Sequence, residues 1–335
     1  MGTVAEVRAA LQKAVELELA TLPPYLYALF TIEQGSNEAA RTRIGAIVRE
    51  EMVHMALACN VLNAVGGSPV LADAAVVPVY PGPLPYDIGG DDGRPFLVSL
   101  LPFSPEAMAQ ATRIEEPEEP IEFPEAEALA AAPPAFQTIG QFYAALDAAL
   151  ARLPADAWAD PPPNQLTDHP FFAGELFAVA GYPDASRAIH RIVSEGEGTT
   201  KSPLDFEGEV AHYYRFEELR RDQVLQRDTS VPEGYSWGAP LGVDWGAVVD
   251  AIADPGAHDF SGDPPAQAAQ DACDRAFTRT LVELHRAVTG EPGRLGNAVA
   301  AMFELTMAAR AALAVPLAGT HRSAGPAFRF RPELA

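Results

Sequence analysis

The chain has 335 residues and a mass of 35.6 kDa, 48% of the residues are apolar, and the mean hydropathy is near zero. This balance excludes a disordered chain and a membrane-embedded one, and the length supports a sizeable core. The formal charge of −23 opposes phosphate backbones and anionic lipid, so neither nucleic acid nor a membrane is an expected partner.

The start, Met1 to Ala10, lacks the basic-then-apolar layout of a signal peptide. Cys59 and Cys273 are the only cysteines, which leaves no disulfide framework and no cysteine-rich zinc site. The expected location is the cytoplasm.

Thr3-Val4-Ala5-Glu6 reads as a capping box that opens a first helix. Apolar residues recur at Val7, Leu11, Ala14, Leu22, Tyr25, Leu29 and Ile32, and Pro23-Pro24 is expected to kink the helix or start a new segment. Gly35-Ser36-Asn37 closes this element and caps a second helix over about Glu38 to Val65, stopped by Gly66-Gly67 and Ser68-Pro69. The two helices form an antiparallel hairpin.

Prolines crowd residues 70–134, with a short helix expected over Pro105 to Arg113 and edge strands at Val76 to Tyr80 and Phe96 to Leu101. Glu115 to Glu127 reads as an acidic, solvated loop. A helix over Thr138 to Leu153 follows, then a strand is expected at Glu175 to Ala180. Asp184 caps a short helix to Glu195, which Gly196 and Gly198 end. A further helix runs from near Phe206 to Arg221, residues 222–264 read as loop, and two helices close the chain over Ala266 to Val288 and Leu295 to Ala314.

The informative residues interrupt the apolar stripes. Glu18 takes a core position on the first helix. On the second, Ile44, Ile47, Glu51, His54, Ala58, Val61 and Val65 follow alternating steps of three and four. Glu209, His212, Phe216 and Leu219 repeat that spacing. Two Glu-x-x-His pairs, Glu51–His54 and Glu209–His212, therefore fall on inward faces. An unpaired buried carboxylate is costly and seeks a cation, and a pair of metal ions satisfies all these groups together. One Glu from each of two helices plus Glu-x-x-His from each of two others is the ligand set of ferritin-like di-iron and di-manganese bundles.

Glu18 and Glu197 are the candidates for the single acids. Oxygen and imidazole ligands favour iron, in one or two ions, with manganese as the alternative. Other roles remain open: Glu18 paired with Arg49, core histidines at 54 and 212, Glu197 as a cap with Glu195 as ligand, or Glu50 in place of Glu51. Tyr213, beside His212, is a candidate redox or supporting partner.

At these residues the chain resembles a known family. The segments are Leu17-Glu18-Leu19-Ala20-Thr21-Leu22-Pro23-Pro24-Tyr25-Leu26, Glu50-Glu51-Met52-Val53-His54 with Cys59 to Pro69, Gly196-Glu197-Gly198, and Ala211-His212-Tyr213-Tyr214-Arg215-Phe216. They look like the ferritin-like domain of iminophenyl-pyruvate dimer synthases and of the violacein- and rebeccamycin-pathway enzymes that make chromopyrrolic-acid-type products. The resemblance covers 5–69 and 184–222 best. It implies a non-haem metal site and oxidative chemistry on amino-acid-derived imines in secondary metabolism. Only 11 residues separate Glu197 from Glu209, so Glu197 is expected at a helix end.

The expected architecture is mostly α: a ferritin-like helical bundle with a long proline-rich irregular insertion and a few short strands. One domain over 1–335 comprises a helix pair (1–69), the insertion with one helix (70–183), a second metal-bearing helix pair (184–222), a loop (223–264) and a C-terminal helix pair (265–318). The expected function is a non-haem di-iron oxidoreductase with no catalytic residues beyond its metal ligands, acting on a small amino-acid-derived imine or aryl-pyruvate-like substrate in secondary metabolism, alone, as a homo-oligomer or beside a pathway enzyme. The contrasting expectation is a non-catalytic scaffold or metabolite-binding protein.

Overall fold

The computed structural model describes residues 1–90, 94–117, 136–167, 169–199 and 202–334. Among them the helices are α1 (Val4–Thr31), α2 (Glu38–Ala64), α3 (Pro105–Ile114), α4 (Ile139–Leu150), α5 (Tyr182–Glu197), α6 (His212–Arg221), α7 (Pro264–Thr289) and α8 (Leu295–Leu313). Helix α1 pairs with α2, α3 with α6, α4 with α5, and α7 with α8. One apolar core runs from Val7 to Phe328.

Helix α1 opens on the expected capping box: Thr3 Oγ1 accepts from the Glu6 N–H, and Glu6 reaches back to the Thr3 N–H. From Ala14 to Tyr25 every residue is buried, and the same holds from Val53 to Val65 on α2. These halves are surrounded on all sides, which is why their sequences are apolar beyond a single stripe. Carboxylates and imidazoles in these stretches are therefore cut off from water.

Pro23 and Pro24 do not end α1, which is a single helix through both. Proline at 24 removes the N–H that would bond the carbonyl four residues earlier, at Ala20. The Tyr80 hydroxyl donates to that carbonyl instead, at 2.7 Å. The insertion thus supplies a bond that the helix lacks.

Other expectations need correction. Asn37 stands at the start of α2 without capping it; its side chain exchanges hydrogen bonds with the backbone of Asp244, each at 2.8 Å. The first strand is β1 (Gly82–Pro83), antiparallel to β2 (Leu97–Val98), rather than Val76 to Tyr80. Residues 175–180 form no strand; Asn60 on α2 binds this stretch and its neighbour, donating to the carbonyls of Leu166 and Phe177. Helix α5 continues through Gly196 and ends at Gly198, whose φ of +87° suits glycine.

Helix α6 begins only at His212, because Asp205 accepts from the N–H groups of Glu207 and Glu209 and turns the chain there. Residues 222–264 hold an antiparallel hairpin, β3 (Gln223–Arg227) with β4 (Tyr235–Pro240). The acidic run expected as loop lies outside the described residues from 118 on.

Tyr80→Phe keeps the ring and removes only the donor to Ala20. The variant is expected to lose about 1–3 kcal/mol of unfolding free energy. Urea denaturation followed by circular dichroism measures this, and an unchanged midpoint would remove the assigned role of the hydroxyl.

Candidate metal centre

Four elements converge on one buried cluster. Helix α1 brings Glu18, α2 brings Glu51 and His54, the residue capping α3 brings Glu115, and the first residue of α6 brings His212. All five are buried. They form two triads, Glu18–Glu51–His54 and Glu51–Glu115–His212, each with its ligand atoms within 4.8 Å of one another. Glu51 belongs to both.

Both imidazoles turn Nδ1 towards the shared carboxylate. His54 Nδ1 lies 3.7 Å from Glu18 Oε2 and 3.8 Å from Glu51 Oε1. His212 Nδ1 lies 2.8 Å from Glu51 Oε1 and 3.8 Å from Glu115 Oε2. The two rings stack with centroids 5.5 Å apart. A cavity of about 20 Å³ opens beside Glu18, Glu51, His54 and Glu115.

An outer layer of charge fixes both rings from behind. His54 Nε2 is 2.7 Å from Glu195 Oε2, and Arg191 lies 2.7 Å from the other Glu195 oxygen. His212 Nε2 is 2.9 Å from Glu50 Oε2, and Arg215 grips both Glu50 oxygens at 2.8 and 3.1 Å. With the proton on Nε2 facing its carboxylate, each Nδ1 keeps a lone pair for an ion. Phenols hold the outer acids: Tyr143 donates to Glu18, and Tyr25 donates to Glu115 at 2.5 Å. The Thr21 hydroxyl donates to Glu51 Oε2 at 2.8 Å.

Electrostatics shows what this cluster lacks. Burial, reinforced by the Glu51 charge, pushes Glu18 well above the usual carboxylate range and raises Glu115 as well. Burial also opposes ionisation of Glu51, but His212, His54 and Thr21 outweigh it and hold the pKa down. Burial lowers the pKa of His212, yet its carboxylate neighbours outweigh this and raise it well above its ordinary value. In the outer layer, His212 and Arg215 overcome burial and hold Glu50 at about 2; His54 and Arg191 likewise lower Glu195.

The donor set fits metal ions. His212 Nδ1 is buried without a hydrogen-bond partner although Glu51 Oε1 is only 2.8 Å away. Two ligands at right angles, each about 2.1 Å from an ion, are roughly 3 Å apart, so this spacing suits neighbours in one coordination sphere. Three carboxylates also exceed the cations facing them. Two divalent ions would correct that excess, with Glu51 able to serve both.

The structure gathers Glu18, Glu51, His54 and His212 and separates the other two expected ligands. Glu209 is exposed on the turn before α6, so the second Glu-x-x-His never forms on a helix. Glu197 ends α5 and accepts from the Gly140 N–H at 2.6 Å, capping α4. Tyr213 belongs to a separate small cluster with Tyr214 and Leu225, and the phenols at the centre are Tyr25 and Tyr143. Arg49 pairs with Glu175 rather than Glu18. Glu115, read as solvated loop, replaces Glu209 in the second triad. Its signal was the buried line Met108, Ala111, Glu115, which extends the α3 stripe one step beyond the helix.

A ferritin-like family model matches residues 11–221. Among solved structures, a ferritin-like protein from Caulobacter vibrioides is similar at 23% identity, with a TM-score of 0.65 over 97% of this chain and 98% of that one. No curated protein matches.

Metal uptake is expected to release protons and to weaken as pH falls. Raised pKa values leave Glu18, Glu115 and His212 holding protons that an ion must displace. Titration calorimetry in buffers of different ionisation enthalpy measures this, and pH-independent affinity would contradict it. Glu51→Ala should abolish both ions, whereas Glu18→Ala should spare the one at Glu115 and His212, as metal analysis would show.

Proposed function

The chain belongs to the ferritin-like family, and on that premise we propose that it is a non-haem di-iron oxidoreductase acting on a small amino-acid-derived imine or aryl-pyruvate-like substrate in secondary metabolism. The two buried triads sharing Glu51 carry this reading. Carboxylate and imidazole donors without thiolate suit iron, with manganese as the alternative. When bound, such ions supply redox chemistry with dioxygen or peroxide as oxidant.

The chain's own residues do the rest. Glu18, Glu51, His54, Glu115 and His212 hold the ions. Glu195 with Arg191, and Glu50 with Arg215, keep the imidazoles turned inward. Tyr25 and Tyr143 each engage one oxygen of an outer acid and leave its second oxygen for coordination. The apolar walls around them exclude bulk water, which strengthens every charge interaction inside.

The cavity at the triads takes an ion or a water, not an aryl-pyruvate. Space of the right size lies along α5, in a cleft of about 680 Å³ that Glu195 also lines. There the Arg187 guanidinium stacks 3.6 Å over the Phe177 ring, and Phe206 stands exposed at the rim. Guanidinium and aromatic faces suit the carboxylate and ring of an aryl-pyruvate imine. Glu195 joins this cleft to His54.

A second reading is a non-catalytic scaffold or metabolite-binding protein with a structural metal site, and the small cavity supports it. No helix among the described residues is long and apolar enough to cross a membrane. The preferred reading assigns the protein to the cytoplasm, as a homo-oligomer or beside a pathway enzyme.

Protein purified without oxygen and loaded with ferrous iron is expected to bind it stoichiometrically and to develop a visible charge-transfer band in air. An intact fold that binds no transition metal would sink the enzyme reading. Arg187→Ala should weaken phenylpyruvate binding by roughly tenfold or more at unchanged iron content; equal binding would remove the cleft from the proposal.

A further inference from the structure

The cavity beside the triads has one polar residue on its outer side. Most of its wall is buried, but Ile139, Val193 and Glu197 are half-buried, where the first turn of α4 meets the last turn of α5. Glu197 is the carboxylate of these three. It rests on the N-terminal turn of α4, accepting from the Gly140 N–H at 2.6 Å, where unpaired N–H groups and the helix dipole favour an anion. The resting place depends on glycine: a Cβ at 140 would overlap both Glu197 oxygens. Glu197 is also the last residue of α5, next to the turn at Gly198.

We propose that Glu197 is the portal ligand of the centre, the first protein group to bind a divalent first-row cation on its way to the triads. The inference rests on the metal reading above. A hydrated divalent ion crossing the apolar rim of Ile139 and Val193 must shed water, at a high desolvation cost. A carboxylate at that rim replaces lost water ligands before the buried acids complete the sphere. Glu197 would turn the lone pairs that face the Gly140 N–H to an incoming ion, and would return to that N–H once Glu18, Glu51 and His54 held it. This explains why an acid lines the cavity without belonging to either triad.

The test follows cobalt(II) uptake by the apoprotein with stopped-flow absorption, and stoichiometry with calorimetry. Glu197→Gln and Glu197→Ala are expected to slow uptake on the order of tenfold, while final stoichiometry stays that of the wild type. Gly140→Ala, which displaces the carboxylate but retains it, is expected to load at least as fast as the wild type. Circular dichroism checks that each variant folds. Wild-type rates in both Glu197 variants would overturn the inference, as would Gly140→Ala loading as slowly as they do. A wild-type protein that binds no cobalt would overturn the metal reading itself, and the portal role with it.

Discussion

Glu51 sits where a carboxylate has no water, between two imidazoles, a hydroxyl and two further acids. Its charge is tolerable only if something positive accompanies it, and the nearby arginines are already engaged: Arg191 faces Glu195, and Arg215 faces Glu50. The rest of the molecule follows from this constraint. Helices α1 and α2 must be apolar on nearly every side to surround the group, and the ends of α3 and α6 must arrive at the same depth. A cluster so arranged has a deficit of cations at its middle and balanced charge at its edge. Metal ions are the simplest way to remove the first without disturbing the second.

The Glu50-Glu51 doublet shows how economically this is achieved. Neighbours on a helix point about 100° apart, so one ring can meet both residues. Glu51 faces His212 Nδ1 and Glu50 faces its Nε2. Two consecutive residues thus provide the inner and the outer partner of one imidazole. The other imidazole uses residues from two helices, with Glu51 inside and Glu195 outside. The centre has approximate two-fold character in its chemistry.

Much of this was legible from residue spacing. The capping box at Thr3, the extent of α2, and the inward positions of Glu18, Glu51 and His54 follow from apolar periodicity interrupted by polar groups. Periodicity failed where the chain is not helical. Glu209 has the right spacing from His212, but Asp205 turns the backbone before the helix begins. Glu115 has no helical continuation behind it and stands at the head of an acidic, proline-broken run, so its composition suggested solvent. Tyr143, in turn, is indistinguishable in sequence from any aromatic core residue. What spacing cannot convey is which turn of which element reaches a point already defined by others; that requires the packing of α3 against α6 and of α4 against α5.

The proline pair in α1 has a consequence for how strain travels. At Pro24 the helix cannot complete its own ladder, and Tyr80 from the insertion closes the gap at Ala20, between Glu18 and Pro24. The stiffness of this stretch is therefore borrowed rather than intrinsic. Any displacement of residues near Tyr80 reaches the backbone that carries Glu18 and Thr21 through a single bond, giving this turn of the buried acid cluster a mechanical tether to a segment that lies outside the bundle.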